Sequence, residues 1–314
     1  NYSGPTIHVI DASRAVGVVS KLLNADEKDS FISDTKANFL KIREARAKGS
    51  KLKRLDIATA RSRKLQIDWD QYQVPTPKFQ GVKVFEDYPL DELVDYIDWS
   101  PFFHAWELKG VYPKMLTDGK YGDEAQKLFD DGQTLLNRII SEKLVTTKGV
   151  IGIHPAHAEN ESVITDEVTF NFPRQTVDKG TNGTNYSLAD FIGPNDDFIG
   201  TFAVTAGHGI ETIVKEFENQ HDDYNAIMVK VLADRLAEAF AERLHQRMRK
   251  EFWGYATDES MNNDSLINEK YQGIRPAPGY PACPDHAEKD KIWKMLNVEE
   301  NTGITLTESR AMYP

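Results

Sequence analysis

Residues 275–286 read Arg275-Pro276-Ala277-Pro278-Gly279-Tyr280-Pro281-Ala282-Cys283-Pro284-Asp285-His286, four prolines and one glycine around an arginine and a tyrosine. Proline fixes φ and removes a backbone donor, so this stretch can be neither helix interior nor central strand. The residue before each proline is also pushed toward extended backbone, which stiffens the segment. A stiff loop with unpaired carbonyls loses little entropy when it grips a ligand. Arg275 offers a planar fork of donors suited to a carboxylate or phosphate. Tyr280, beside the permissive Gly279, can bring a ring close to a cation or a flat heterocycle. A proline-rich surface turn with a structural arginine remains an alternative on composition alone.

The rest of the chain must supply the core this loop lacks. With 314 residues, 40% hydrophobic and 28% charged, there is enough for one large domain or two smaller ones of globular type. A net charge of −11 argues against a general nucleic-acid or anionic-membrane surface. No apolar run reaches membrane-spanning length, and Asn1-Tyr2-Ser3-Gly4-Pro5 does not begin a signal peptide. The single cysteine, Cys283, excludes an internal disulfide and a multi-cysteine zinc site. A cytoplasmic monomer with no bound metal is expected.

Thr6–Ile10 reads as a strand and Ser13–Leu23 as a helix, one β-α unit with no partner strands after it. Ala25–Lys64 is charged and reads as a solvated helical connector. Ile67–Val84, with Pro75, Pro77 and Gly81, reads as an extended linker, and a compact domain begins near Phe85. Within it, Leu90–Ile97 and Asp123–Lys143 read as helices, the second with Ala125, Leu128, Leu135, Leu136 and Ile139 on its apolar side. Val150–Ile153, Ser162–Phe172 and Phe198–Thr205 read as strands. A polar turn at Ala158–Glu161 predicts antiparallel pairing. Asp222 or Asp223 caps the longest helix, expected to run to Phe252 with Ile227, Val231, Leu232, Leu236, Phe240, Leu244 and Met248 at helical spacing; Gly254 stops it. Such a helix spans roughly 45 Å, enough to cross a sheet. The mixed order predicts an α+β fold: a single curved domain with a twisted, mainly antiparallel sheet and long helices, preceded by the helical connector.

Four stretches, in order, resemble the reactivation domain of cobalamin-dependent methionine synthase. They are Asp98-Trp99-Ser100-Pro101-Phe102-Phe103-His104-Ala105-Trp106-Glu107-Leu108; His221–Tyr224 with Leu232–Ala239; the proline-rich loop with Tyr271-Gln272-Gly273-Ile274 before it; and Thr307–Pro314. The resemblance implies three regions. Residues 1–24 would end a cobalamin-binding Rossmann-like domain, 25–84 would be the connector and 85–314 the reactivation domain. No Asp-x-His-x-x-Gly motif precedes His8, so His8 is not expected to ligate cobalt. The family sequence continues past the last motif, which places part of the donor site beyond Pro314.

The resemblance further implies a methyltransferase module that binds S-adenosylmethionine and serves reductive remethylation of cobalamin, the cobalamin being held mainly by the preceding domain. Donor-binding roles fall on Asp98, Arg275, Ala277 through its backbone, Gly279, Tyr280 and Glu238. Positioning donor and acceptor in line needs no protein base, which agrees with the lack of any nucleophile–base pair in the sequence. Glu238 and Glu242, one turn apart, otherwise read as a solvated face partnered by Arg235, Arg243 and Arg249. Trp99, Phe102, Phe103 and Trp106 read as core aromatics, some of which can wall a pocket. Expected partners are the cobalamin-binding domain of the same chain and a flavodoxin-like reductase, with the basic 41–64 stretch as a candidate contact. Two competing readings are a scaffold without a small ligand, and a hydrolase using the Glu238 and Asp98 carboxylates.

Overall fold

The structure, a computed structural model, describes residues 4–9, 12–49 and 52–313, without the side chains of residues 12–14 and 47–49. It falls into two compact units, one of residues 1–62 and 176–183, the other of 63–175 and 184–314.

In the first unit, helix α1 (Ala12–Leu23) leads through a turn closed by Lys28 N–H donating to the Asn24 carbonyl (2.9 Å) into α2 (Lys28–Gly49). Lys21 lies 5.2 Å from the Phe31 ring centroid. The described side chains of α2 are mostly exposed, as its charge content demands. Val16, Val19 and Leu23 of α1 are also exposed. A short helix, α3 (Ile57–Ser62), starts at Asp56, whose carboxylate accepts from the Thr59 N–H (2.9 Å) and hydroxyl (2.7 Å). The Thr59 bonds hold the Asp56 carboxyl below the usual range. The Leu55 N–H donates to the Thr176 carbonyl (2.8 Å) and the Asp178 N–H to that of Lys53 (2.8 Å), joining the two stretches of this unit. The expected strand at Thr6–Ile10 is not formed: residues 6–9 carry no regular structure, and Ile10 lies outside the described residues. A lone strand leaves its backbone groups unpaired, and none of the described residues pairs with this one.

The second unit is built on an antiparallel sheet. Its strands are β1 (Gly81–Phe85), β2 (Thr146–Glu159), β3 (Ser162–Ile164), β4 (Thr169–Asn171) and β5 (Asp197–His208). The order is β1-β2-β3-β4, with β5 also on β2. The long β2 is central: it pairs with β1 from Gly149↔Phe85 to Ile153↔Gly81, and with β5 from Thr146↔His208 to Ala156↔Asp197. Residues 81–84 are therefore a sheet strand and not linker. The expected single strand at Ser162–Phe172 is a hairpin. Thr165 Oγ1 accepts from the N–H groups of Glu167 and Val168 and folds the polar Asp166-Glu167 pair into a turn.

Residues 149–153 are buried on both faces. On one face Ile151 and Ile153 join Leu232, Leu236, Phe240 and Leu244 of the long helix α7 (Asp223–Arg247). The same cluster takes in α4 (Ser100–His104), α5 (Gly122–Ser141) and α6 (Ile210–Asn219). On the other face Val150 meets Leu296 of α9 (Glu288–Leu296), Val298 of α10 (Val298–Thr302), Phe170, Phe172 and Cys283. The middle strand can be sandwiched this closely because it carries glycine on each face. A Cβ on Gly149 would lie 2.8 Å from Phe240 Cζ, and one on Gly152 would lie 2.6 Å from Leu296 Cδ2. Between α7 and α9 lies the short α8 (Asn263–Ile267). The chain closes on a small hairpin, β6 (Thr305–Leu306) with β7 (Met312–Tyr313). The α+β class with an antiparallel sheet is thus present. Within α7, Ile227 is half-exposed and Met228 and Val229 take the buried positions, contrary to the expected apolar stripe.

Candidate donor-binding site

The candidate site forms where the second half of α7 faces the returning chain. Asp222 caps this helix by accepting from the Asn225 N–H (3.0 Å). Its apolar residues face the sheet, but Glu242, His245 and Arg249 are also buried, at i, i+3 and i+7. The helix continues beyond Arg247 as a π-turn over Met248–Phe252, closed by Trp253 N–H donating to the Met248 carbonyl (2.8 Å). Gly254, at φ +83°, then reverses the chain and returns it across that face.

Buried charge is tolerated only when paired and hydrogen-bonded, and each partner comes from the returning segment or from α7 itself. Arg249, wholly buried, forks onto Glu259 through Nε and Nη2, both at 2.7 Å. Its Nη1 donates to His245 Nδ1 (2.8 Å), and its guanidinium lies 4.0 Å from the Tyr271 ring centroid. An arginine can only donate, so His245 Nδ1 accepts and the imidazole is neutral with its proton on Nε2. Burial, then the charges of Arg249 and Arg275, push the His245 pKa down to about 3. Arg275 Nη2 donates to Glu242 Oε2 (2.9 Å). Burial raises the Glu242 carboxyl above its ordinary range, against the pull of Arg275 and Arg249. Two buried atoms of this ion pair have no hydrogen-bond partner among the described residues: Glu242 Oε1, an acceptor, and Arg275 Nε, a donor.

The proline-rich loop is pinned at its tip. Gly279 N–H donates to the Cys283 carbonyl (2.7 Å), and Cys283 N–H to that of Tyr280 (2.9 Å). Gly279 sits at φ +101°, and a Cβ there would fall 2.3 Å from His286 Cε1. Lys289 Nζ lies 3.3 Å from His286 Nδ1 and donates to the Arg310 carbonyl (2.9 Å), so the last motif is tied to this loop. The Asp98 motif joins through α8, where Asn263 Nδ2 donates to the Ile97 carbonyl (3.1 Å). Tyr280 is left 65% exposed at the loop's tip. Hydrogen bonds thus tie the proline-rich loop to the C-terminal half of α7 and its neighbouring helix α9 to the last motif, while His221–Tyr224 lies at the opposite end of α7, where Tyr224 meets Trp106 of the first motif.

Residues 89–314 match the family described as vitamin B12 dependent methionine synthase, activation domain. The chain belongs to this family. It is also similar to a solved structure, a crystal structure of the MetH reactivation domain bound to AdoHcy. The identity is 46%, 83% of each chain is covered and the TM-score is 0.79. Among the described residues of this activation domain and its N-terminal unit, no helix is long and apolar enough to cross a membrane.

The predicted residues lie in different settings. Asp98 is half-buried and turns the chain into α4, Oδ1 accepting from the Ser100 N–H (2.9 Å). Glu238 is exposed, one turn before the glutamate that Arg275 holds. Arg235, Arg243 and Arg249 pair with Asp234, Glu92 and Glu259 and not with a shared solvated face. Phe102 and Phe103 are wholly buried, Trp99 nearly so. Each contributes about 1.5–3 kcal/mol of burial, which makes them core first. Cys283 is buried and its thiol is pushed up to about 11, chiefly by burial, so it is no nucleophile near neutral pH. His245, Glu259 and Asn263 lie in none of the four sequence motifs, and Tyr271 belongs to one without a role assigned to it. The usable signal was Glu242, His245 and Arg249 recurring at helical spacing among apolar positions.

Proposed function

We propose that this chain is the reactivation module of a cobalamin-dependent methionine synthase and binds S-adenosylmethionine as methyl donor for the reductive remethylation of cobalamin. The observation that carries the reading is the 46% identity, over most of both chains, to a reactivation domain bound to the demethylated form of that donor. The local chemistry supports it. Arg275 presents a fork suited to the donor's carboxylate on a side chain that is 24% exposed. Asp98, Glu238, the Ala277 backbone and Gly279 complete the proposed pocket, with the exposed Tyr280 ring facing the sulfonium or the adenine.

The transfer breaks the donor's methyl–sulfur bond, the electron pair stays on sulfur, and S-adenosylhomocysteine leaves. Cobalamin, held by a neighbouring domain, supplies the methyl acceptor. The chain's own residues bind and orient the donor; no proton has to move, so no catalytic acid or base is proposed. On this reading residues 1–24 end the cobalamin-binding domain, 25–84 connect, their last four residues already paired into the module's sheet, and 85–314 form the module. The family match beginning at residue 89 and the exposed Val16, Val19 and Leu23 of α1 support that division. Methyl transfer from methyltetrahydrofolate to homocysteine belongs to the larger enzyme, in the cytoplasm; the electron for the reductive remethylation of cobalamin comes from a flavodoxin-like or related flavoprotein.

Thermal unfolding with added S-adenosylmethionine tests the reading. A ligand of the folded state adds about 2.7 kcal/mol at a hundredfold excess over its Kd. A rising Tm that saturates with concentration is expected. An unchanged Tm at millimolar donor would contradict it.

A further inference from the structure

We propose that Glu242 is a positioning residue that sets the orientation of the Arg275 fork toward the donor's α-carboxylate; this rests on the donor-binding reading above. Arg275 leaves a loop that is held at its far end by Gly279, Cys283 and His286. At its near end, Glu242 is the charged side chain among the described residues that bonds its guanidinium, at 2.9 Å, and the Tyr271 hydroxyl also lies against it. An arginine side chain has rotamer freedom that costs binding energy unless something fixes it beforehand. Glu242 can do so because it is itself fixed: it projects from the middle of a long helix and is 7% exposed.

The surroundings leave Glu242 little other use. The neighbouring cation, Arg249, is occupied on both edges by Glu259 and His245. His245 is neutral and faces Tyr271 edge-on at 4.9 Å between ring centroids. Tyr271, buried beneath Arg249, closes the same side. Glu269, the nearby acid on the returning segment, repels Glu242 and does not bind it. The Arg249–Glu259 pair therefore forms a fixed wall behind a second pair that has spare valence. Glu242 spends only Oε2 on Arg275, and Nε of Arg275 is unpartnered. A pair kept only for stability would be expected to close both hydrogen bonds, since a buried unmade one costs about 1–3 kcal/mol. The buried Nε is enclosed, and it is the accessible part of the Arg275 side chain, 24% exposed, that a ligand's carboxylate would meet.

The experiment compares two ligands on the intact chain by calorimetry: S-adenosylhomocysteine, which carries the amino-acid end, and 5′-methylthioadenosine, which lacks it. Glu242→Gln keeps the shape and removes the charge; Glu242→Asp shortens the arm and serves if the amide variant folds poorly by circular dichroism. The expected result is about tenfold weaker binding of S-adenosylhomocysteine in Glu242→Gln, with methylthioadenosine unchanged. Added to Arg275→Ala, the same change should have no further effect. Equal weakening of both ligands would mean a general structural role and overturn the proposal. So would undiminished S-adenosylhomocysteine binding in Glu242→Gln alongside loss in Arg275→Ala. If the unaltered chain binds neither ligand, it is the donor-site reading that fails instead.

Discussion

A single buried imidazole shows how tightly the end of α7 is specified. His245 accepts from Arg249 and can do so only while neutral. Its folded pKa of about 3 lies below the unfolded value, so it contributes stability above about pH 6.5 that is lost as pH falls toward 3. His245→Gln, which cannot gain that charge, should narrow its stability gap to the unaltered chain as pH is lowered from 7 to 4 in urea titrations. A gap independent of pH would contradict the assignment. Arg249 poses the opposite problem, a permanent charge with no exposure. Glu259→Gln leaves it uncompensated and should cost about 3–5 kcal/mol in the same titrations. A loss below 1 kcal/mol would mean water reaches the pair. Apart from their helical spacing with Glu242 among apolar positions, neither residue stands out in the sequence, where His, Arg and Glu in a charged helix read as surface. Their buried state follows from the chain reversal at Gly254, a long-range event that local patterns do not encode.

At the scale of elements, periodicity was enough for the parts that bury one face. The predicted apolar residues of α5, Ala125, Leu128, Leu135, Leu136 and Ile139, are all buried, and Asp222 is the cap of α7. It failed where pairing decides. Residues 81–84 became strand because β2 offers an open edge, and Ser162–Phe172 folded back on itself through Thr165. The proline-rich loop was legible as a stiff loop from its prolines, but its lock, Gly279 against His286, was not. Gly279→Ala would need a left-handed backbone and a Cβ in the His286 ring. It should weaken S-adenosylmethionine binding about tenfold or more in calorimetry while the far-ultraviolet dichroism is kept. Unchanged affinity would remove the loop tip from the site.

Across the whole molecule, the sequence motifs told the family, and the fold explains why they are four. The Asp98 turn, α7, the proline-rich loop and the final hairpin are distant in the chain and are joined by a few contacts: Asn263 to Ile97, Arg275 to Glu242, Lys289 to Arg310 and Trp106 to Tyr224. The contacts within them were less legible: Arg275 is ion-paired with Glu242, while Glu238, one turn earlier, is exposed. Resemblance indicates which stretch binds; only coordinates show which carboxylate on a helix turns inward. The most direct test of the central claim is calorimetric titration of this chain and of Arg275→Ala with S-adenosylmethionine. The account predicts saturable, one-to-one binding that weakens roughly 10- to 150-fold in the variant, the range for a charged hydrogen bond. Equal affinity in the two proteins would contradict it.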